Sequence, residues 1–332
     1  MVHQRHPRAR RHLLMKPSRR HHLLPQFYMC SFADEDGKVR IVERASGHEF
    51  TTSTVNVFVE RDFYTVSSAD AEDDHQLIEG LYAKIEGVAA PVFEQLRAGE
   101  FPLDGQDRSE FASFMALQVS RGRMFRQWME QLTHQTSRMM LRMVADAPPG
   151  YWEAKRAEWE ANPQGPEPPA PLTDKQREML REGKSFLIKP SREHVIAMSF
   201  APLEEMTFVL MAMTWRLLRF DEPCLFSSEH PLSYWRQSTP IDRAYGIGAT
   251  TADEVRLPIS PTCALVLTPP EPGRKLFARS RYESAYRGNA AAARRLNWGT
   301  LTFPPSERLL LGPHVATHPL PMTVNQMGGG IV

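Results

Sequence analysis

The feature that most constrains this chain is a seam of side chains that recurs at helical spacing between residues 109 and 143. Its members advance alternately by three and four positions: Phe111, Phe114, Gln118, Arg121, Phe125, Trp128 and Leu132. That spacing places them on one face of a helix, and a face so rich in aromatic residues must pack against the core. We therefore expect one long helix from about Ser109 to Met143.

Gln118 and Arg121 occupy consecutive positions of this otherwise apolar seam. A buried guanidinium without a partner would cost several kcal/mol, so Arg121 needs a carboxylate, a carbonyl or a bound anion. Two interpretations stay open. Arg121 forms a structural ion pair, for which Glu86 is the candidate partner, or it binds an anion in a pocket.

A helix is also predicted from Asp74 to about Arg97, because apolar residues recur there at spacings of three and four: Ile78, Leu81, Ile85, Val88 and Val92. Glu86 lies beside this stripe, with Tyr82 one turn earlier. It is either an edge residue that reaches solvent or a partly buried carboxylate with a role in a site.

Two adjacent histidines, His21 and His22, lead directly into the apolar run Leu23 to Met29. Such a pair can bind a metal ion or act as acid and base near neutral pH. Pro25 disfavours helix at the preceding residue, so we expect a strand around Phe27 that pairs with residues 39–43 in a hairpin. The alternative interpretation is a solvated junction at the end of a basic tail.

The net charge of +1 conceals an asymmetry. Residues 1–33 hold seven Lys and Arg and no Asp or Glu, so they carry +7 and the rest of the chain carries −6. We expect residues 1–20 to be a disordered basic tail, which could contact nucleic acid by displacing counterions from phosphates. The tail has no aromatic residue that could stack on bases.

No stretch reaches the roughly 18 uncharged apolar residues of a membrane span, so a soluble protein with no membrane partner is predicted. The three cysteines, Cys30, Cys224 and Cys263, are an odd number in unrelated apolar contexts. This pattern argues against a disulfide framework and favours buried, reduced thiols in the cytoplasm.

The predicted fold class is α+β: a mainly helical body with a small mixed or antiparallel sheet built from N-terminal and C-terminal strands. One domain is expected over residues 21–315, with a Pro-rich excursion at 146–172 and a C-terminal tail at 316–332. Within it we predict an apolar helix from Leu203 to Leu218. Strands are predicted at residues 255–261 and 263–268.

Short motifs follow one another along the chain: His22 with Pro25, Gln26, Phe27 and Tyr28; Asp62-Phe63-Tyr64; Ile85-Glu86; Leu117 to Arg121; Phe226 to Leu232; Leu257 to Pro261; and Asn289 to Arg294. In order and spacing they resemble the uncharacterised, mainly bacterial family known as domain of unknown function 4238. One departure is Glu229-His230, where that family commonly has Asp-Asn. Because the family has no assigned activity, the resemblance implies an architecture and a set of polar residues, but no reaction.

If these polar residues converge, they form a site. The hypothesis is a hydrolase that acts on phosphodiester bonds, with or without a divalent metal ion. Its catalytic candidates are His22, Glu86, Arg121 and Glu229; its binding candidates are Tyr28, Tyr64, Gln118 and Ser228; and its candidate metal ligands are His21, His22 and His230.

Two other classes of function stay open. The chain could be a non-catalytic binding or sensing protein for nucleic acid or another anionic ligand, in a defence or regulatory response. The polar residues could also form a buried network that only fixes the fold. The sequence contains no phosphate-binding Gly-rich loop, no His-Glu-x-x-His motif and no dinucleotide fingerprint that would select a known chemistry.

Overall fold

The structure is a computed structural model that describes residues 20–61, 63, 71–163, 170–183, 187–237, 248–275, 281–302 and 306–315. The predicted basic tail, apart from Arg20, and the predicted C-terminal tail lie outside these residues. Tyr64, a predicted binding residue, also lies outside them.

The N-terminal third contains short strands and two small helical segments. In chain order these are β1 (Arg20–His22), α1 (Gln26–Cys30), β2 (Lys38–Glu43), β3 (Glu49–Ser53), a 3₁₀ turn (Thr54–Asn56) and β4 (Val59–Arg61). The middle third is helical: α2 (Ala71–Ala98), α3 (Gly105–Arg121), α4 (Arg123–Ala145), α5 (Tyr151–Ala161), α6 (Asp174–Glu182), α7 (Arg192–Phe200) and α8 (Leu203–Ala212).

The last third is mainly strands: β5 (Thr214–Arg219), β6 (Ser227–Ser228), β7 (Ser233–Trp235), β8 (Glu254–Ser260), β9 (Cys263–Thr268), β10 (Ala285–Arg287), α9 (Ala290–Thr302) and β11 (Arg308–Leu311). The strands predicted at 255–261 and 263–268 are confirmed as β8 and β9, with β8 ending at Ser260.

Three sheets are present in the described part of the chain. β1 and β4 form an antiparallel pair, and β3-β2-β11-β6 form an antiparallel sheet that joins N-terminal to C-terminal strands. The order of the largest sheet is β10-β5-β9-β8-β7, with β10 parallel to β5 and the other neighbours antiparallel. The predicted α+β class is confirmed, and so is the predicted pairing of N-terminal with C-terminal strands in one sheet.

The long helix predicted from Ser109 to Met143 is divided at Gly122 into α3 and α4. Gly122 has an extended backbone and is the residue that precedes α4. A Cβ at this position would lie 3.3 Å from His230 Nδ1, so a larger residue would press against that ring. The break therefore lets the segment that carries His230 approach the main chain between the two helices.

The expected hairpin around Phe27 is wrong, because residues 26–30 form α1 and β2 pairs with β3. Pro25 adopts the extended conformation predicted for it, but its carbonyl accepts the first bond of the helix, from Met29 N. The helix buries Tyr28 and Met29 in the core. Proline is well tolerated at the start of a helix, because the N–H group that it lacks has no partner within the helix there.

The helix predicted from Leu203 to Leu218 ends at Ala212, and residues 214–219 form β5. A continuous apolar run is compatible with a buried helix or a buried strand, so periodicity could not separate them. Pairing with β9 satisfies the backbone of this segment, and Trp215 Nε1 donates to the Leu210 carbonyl at 2.8 Å.

The main core lies where α1, α2 and α3 pack on the five-stranded sheet, with Phe93, Phe111, Phe114 and Trp215 at its centre. One helical stretch among the described residues, Arg192–Ala212, is long and apolar enough to cross a membrane by length and composition. It is divided into α7 and α8, and both pack on α3. One such stretch is weak evidence for a span.

Candidate functional site

Helix α3 holds the segment from His22 to Phe27 at two points. At one end Arg121 Nη2 donates to the His22 carbonyl at 2.8 Å, and at the other the rings of Phe114 and Phe27 lie 5.5 Å apart. Gln118 lies between Phe114 and Arg121 on the same face of α3, one turn from each. It therefore faces the segment that contains both His22 and Gln26.

Arg121 forms an ion pair with Glu86 of α2, and its guanidinium lies 4.7 Å from the centre of the Tyr82 ring. The predicted pairing of Arg121 with Glu86 is confirmed. Arg121 is 7% exposed, whereas the Glu86 side chain is 22% exposed and reaches solvent at the edge of the stripe. Arg121 also donates to the His22 carbonyl, so it fixes the position of the His22 main chain.

Three side chains at this contact carry buried hydrogen-bonding atoms that have no partner among the described residues. These atoms are His22 Nε2, Gln26 Nε2, and both Nε2 and Oε1 of Gln118, a residue that is 6% exposed. A buried polar group without a partner costs about 1–3 kcal/mol. We call His22, Gln26, Glu86, Gln118 and Arg121 the polar cluster; its open donors and acceptors are suited to a bound ligand.

The His22 imidazole is held as a neutral base. Burial lowers its pKa below the usual value, a hydrogen bond with the Val55 backbone opposes this, and the charges of Arg121 and Arg20 lower the pKa further. A bond that favours the protonated ring is one in which a ring N–H donates to the Val55 carbonyl. His22 Nε2 has no hydrogen-bond partner among the described residues, so this nitrogen is open to a ligand.

A cleft opens to solvent at the junction of α3 and α4, and Arg121 belongs to both the cleft and the polar cluster. The cleft contains about 230 Å³ of empty space, including its open mouth. Its lining residues are Phe63, Ser120, Arg121, Gly122, Phe125, Arg126, Val195, Ile196 and Ser199. We call it the α3–α4 cleft.

His230 lies behind this junction, with its ring close to Gly122. Burial, with a smaller contribution from the charge of Arg123, lowers its pKa to about 4. Arg123 itself is paired with Glu60 of β4, which lies opposite His21. The structure thus brings His230 to the end of α3 that carries Arg121.

Ser228 and Glu229 hold their own segment in place. Ser228 Oγ accepts from His230 N and donates to the His230 carbonyl, while the Glu229 carboxylate accepts from the backbone N–H groups of Glu307 and Arg308. Burial raises the pKa of Glu229, and these backbone bonds oppose the rise. The hydrogen bonds of Ser228 and Glu229 are made within their own segment and with the backbone at the start of β11, not with the polar cluster. The site roles predicted for these two residues therefore stay predictions.

Tyr28 is fully buried, and its hydroxyl donates to the Pro258 carbonyl at 2.8 Å and lies 2.6 Å from Ser227 Oγ. Burial raises the pKa of this phenol. These contacts tie α1 to the large sheet. They give Tyr28 a structural role in addition to the binding role predicted for it.

The predicted metal ligands do not assemble into a preformed site. Within the described ranges, no group of three or more His, Cys, Asp or Glu side chains is arranged to hold a metal ion. His21 and His22 are neighbours on β1, and successive side chains of a strand point to opposite faces. Metal binding by His21, His22 and His230 stays a prediction.

Two residues of the site were not selected from the sequence. Gln26 stands inside the first motif, so its position beside His22 was a usable signal. Arg126 had no such signal, because its contact with Phe63 depends on how the end of β4 meets α4. The expectation of buried thiols is wrong for Cys30, which is exposed, although all three cysteines are free.

The comparisons with known proteins identify a family but no activity. The family model described as "Protein of unknown function (DUF4238)" matches residues 20–308, which include the polar cluster and the α3–α4 cleft. Searches of curated proteins and of solved structures gave no match. On the strength of a match that covers most of its length, the chain belongs to the DUF4238 family.

Proposed function

We propose that this chain is a hydrolase in which His22 is the general base. The observation that carries the proposal is the buried Nε2 of an imidazole with a lowered pKa, left without a partner in a segment that packs on α3, the helix that carries Gln118 with its amide donor and acceptor both open. A general base must be unprotonated at the working pH, and a lowered pKa keeps the His22 ring unprotonated.

In this mechanism His22 Nε2 takes a proton from a water molecule as the water attacks the substrate, and then returns it to the leaving group. The imidazolium that forms is stabilised by the Val55 carbonyl and by the charge of Glu86. The amide N–H groups of Gln26 and Gln118 donate to the oxygen on which negative charge develops. Arg121 acts as a positioning residue through the His22 main chain.

A phosphodiester substrate and a cytoplasmic location are the narrower parts of this proposal. The charge of Arg121 is offset by Glu86, so attraction of a phosphate depends on other groups, and Arg126, which lines the α3–α4 cleft with Arg121, is a candidate. Three free cysteines, one of them exposed, support a reducing compartment.

The test uses 4-nitrophenyl acetate and bis(4-nitrophenyl) phosphate as probes of ester and phosphodiester hydrolysis. His22→Asn keeps a polar side chain but removes the imidazole and leaves no base at the Nε2 position. We expect this variant to lower kcat by about 100-fold or more with little change in KM. The activity of wild type should fall in acid, as pH drops through the depressed pKa of His22.

The matched control is His48→Asn, which changes an exposed histidine in the turn between β2 and β3. It should hydrolyse the active probe at the wild-type rate. No turnover of either probe by wild type, or equal rates in His22→Asn and wild type, would contradict the proposal. Circular dichroism spectra of both variants verify that each one is folded.

The nucleic-acid contact predicted for the basic tail is a separate proposal, because residues 1–19 lie outside the described part of the chain. It is supported by the charge of the tail alone. A gel shift that weakens with salt and disappears when the first 20 residues are deleted would support it, and binding that is independent of salt would contradict it.

A further inference from the structure

Helix α4 carries large apolar side chains on its solvent side. Four of them are between 41% and 67% exposed: Trp128, Leu132, Met139 and Met143. At 3.6 residues per turn these positions fall within an arc of about 60°, so they form one line along the helix, which we call the α4 stripe. Phe111 and Phe114, in the first half of the predicted seam, are fully buried. The predicted burial of the seam is therefore wrong for Trp128 and Leu132.

Most charged residues of α4 lie away from this stripe. Arg123, Arg126 and Arg138 are half-buried and bond to neighbouring segments. Within α4, which is described throughout, Arg142 is the one exposed residue that carries a charge, and its Nε donates to the Arg181 carbonyl of α6 at 3.0 Å. A helix that faces solvent normally has the opposite arrangement, with apolar residues inside and charges outside. The outer face of α4 is thus suited to being covered.

The α4 stripe is symmetric about its own midpoint, which lies just after Gln135. Trp128 and Met143 are equally far from this point along the chain, and so are Leu132 and Met139. A two-fold axis brings the same surface of two copies together, so that each contact occurs twice. Antiparallel packing of α4 on a second α4 would therefore place Trp128 of one copy against Met143 of the other. The same packing places Leu132 against Met139, so a second copy covers the whole stripe.

The polar and charged groups of the outer face also favour a second copy. The amide of Gln135 has both a donor and an acceptor, so two such amides near the axis are able to pair, and a polar residue within an apolar seam fixes its register. The two Arg142 side chains would lie about 20 Å apart along the helix, beyond the screening length of about 10 Å. A membrane surface would instead favour a face rich in Lys and Arg.

We propose that the α4 stripe is a dimer interface, in which α4 packs antiparallel on α4 of a second copy of this chain. The helix from Trp128 to Met143 is about 24 Å long and roughly 10 Å wide, which is small beside the roughly 800 Å² that each partner buries in a standard interface. We therefore expect a reversible dimer with a Kd in the micromolar range. The stripe contains no residue of the polar cluster, so this inference is independent of the proposed hydrolase activity.

The test is sedimentation velocity of the full chain between about 1 and about 100 μM, over which we expect monomer to convert to dimer. Leu132→Glu should raise the Kd by about ten-fold or more, because it places a carboxylate against an apolar side chain of the second copy. Leu81→Glu is the matched control, since Leu81 of α2 is exposed to nearly the same extent as Leu132, and it should dimerise as wild type.

A pair of opposite charges tests the antiparallel geometry. Met139→Lys alone should weaken the dimer as Leu132→Glu does. In a mixture of the two variants, the introduced carboxylate of one faces the introduced ammonium group of the other. The mixture should therefore associate about ten-fold or more tightly than either variant alone. Parallel packing would place Leu132 against Leu132 and would give no such gain.

Three results would overturn the inference. The first is a wild-type chain that stays monomeric at about 100 μM, whether the stripe then binds lipid vesicles or is covered by another part of the same chain. The second is an unchanged dimer in Leu132→Glu, which would place the interface elsewhere. The third is a mixture that associates no better than the separate variants. Circular dichroism spectra verify that each variant is folded.

Discussion

Helix α3 carries a buried arginine at each end, and the two can be compared directly. Arg108 pairs with Glu283 and lies 4.4 Å from the centre of the Trp215 ring, while Arg121 pairs with Glu86 and lies 4.7 Å from the Tyr82 ring. Both are more than nine-tenths buried. The same chemical device, a guanidinium between a carboxylate and an aromatic face, thus occurs twice on one helix.

The surroundings of the two arginines differ. Arg108 also donates to the carbonyls of Met211 and Met213, and the Glu283 side chain is only 2% exposed. Arg121 has a carboxylate partner that reaches solvent, lines an open cleft, and lies one turn from a Gln118 amide with no partner among the described residues. A buried ion pair alone therefore does not mark a site; open hydrogen-bonding groups and access to solvent beside it do.

The largest expected effect separates the two ends of α3. Arg108→Met removes the nearer of the two arginines beside the buried Glu283, with Arg274 Nη1 left 3.9 Å away, so the free energy of unfolding should fall by about 3 kcal/mol or more. Arg121→Met should cost less, about 1–3 kcal/mol, because Glu86 can turn to water, but it should abolish hydrolysis. Urea denaturation of both variants measures the costs, and an equal or larger loss in Arg121→Met would remove the distinction.

The next effect concerns acid stability at the Arg121 end, where His230 lies behind Gly122. Its folded pKa of about 4 lies below the unfolded value of 6.5, so between these pH values the unfolded state binds the proton first. Stability should therefore fall as pH drops from 6.5 to 4. The loss is up to roughly 3 kcal/mol, at about 1.4 kcal/mol for each pH unit between the two values.

His230→Gln should remove most of this pH dependence, and His48→Gln, at an exposed position, serves as the control. Urea denaturation at pH 7, 5.5 and 4 measures the slope. An unchanged slope in His230→Gln would show that acid sensitivity resides elsewhere in the fold.

The smallest expected effect tests whether the buried Gln118 amide destabilises the folded protein. Gln118→Leu replaces a buried amide without a partner by an apolar group of similar size, so stability should rise by about 1 kcal/mol while hydrolysis is lost. Gln176→Leu is the opposite case, because Gln176 completes the capping box of α6, and it should lower stability by about 1 kcal/mol. A destabilised Gln118→Leu would indicate that the amide serves the fold.

Much of the polar cluster was predictable because it depends on helical spacing. The buried guanidinium of Arg121 required a partner, and the preceding helix carried Glu86 beside its apolar stripe. The break at Gly122 and the strand at Thr214–Arg219 were not predictable in this way. Each depends on a distant segment, His230 for the break and β9 for the strand.

The sequence by itself determined the two helical faces, the α+β class and the need for a partner at Arg121, since these follow from local periodicity and from the cost of a buried charge. Only the tertiary structure decided that the His22 to Phe27 segment lies against α3, and that Arg126 and Phe63 line a cleft beside Arg121. The physical reason is distance along the chain: these contacts join residues from about 60 to 100 positions apart, and no local pattern encodes which distant partner satisfies a buried polar atom.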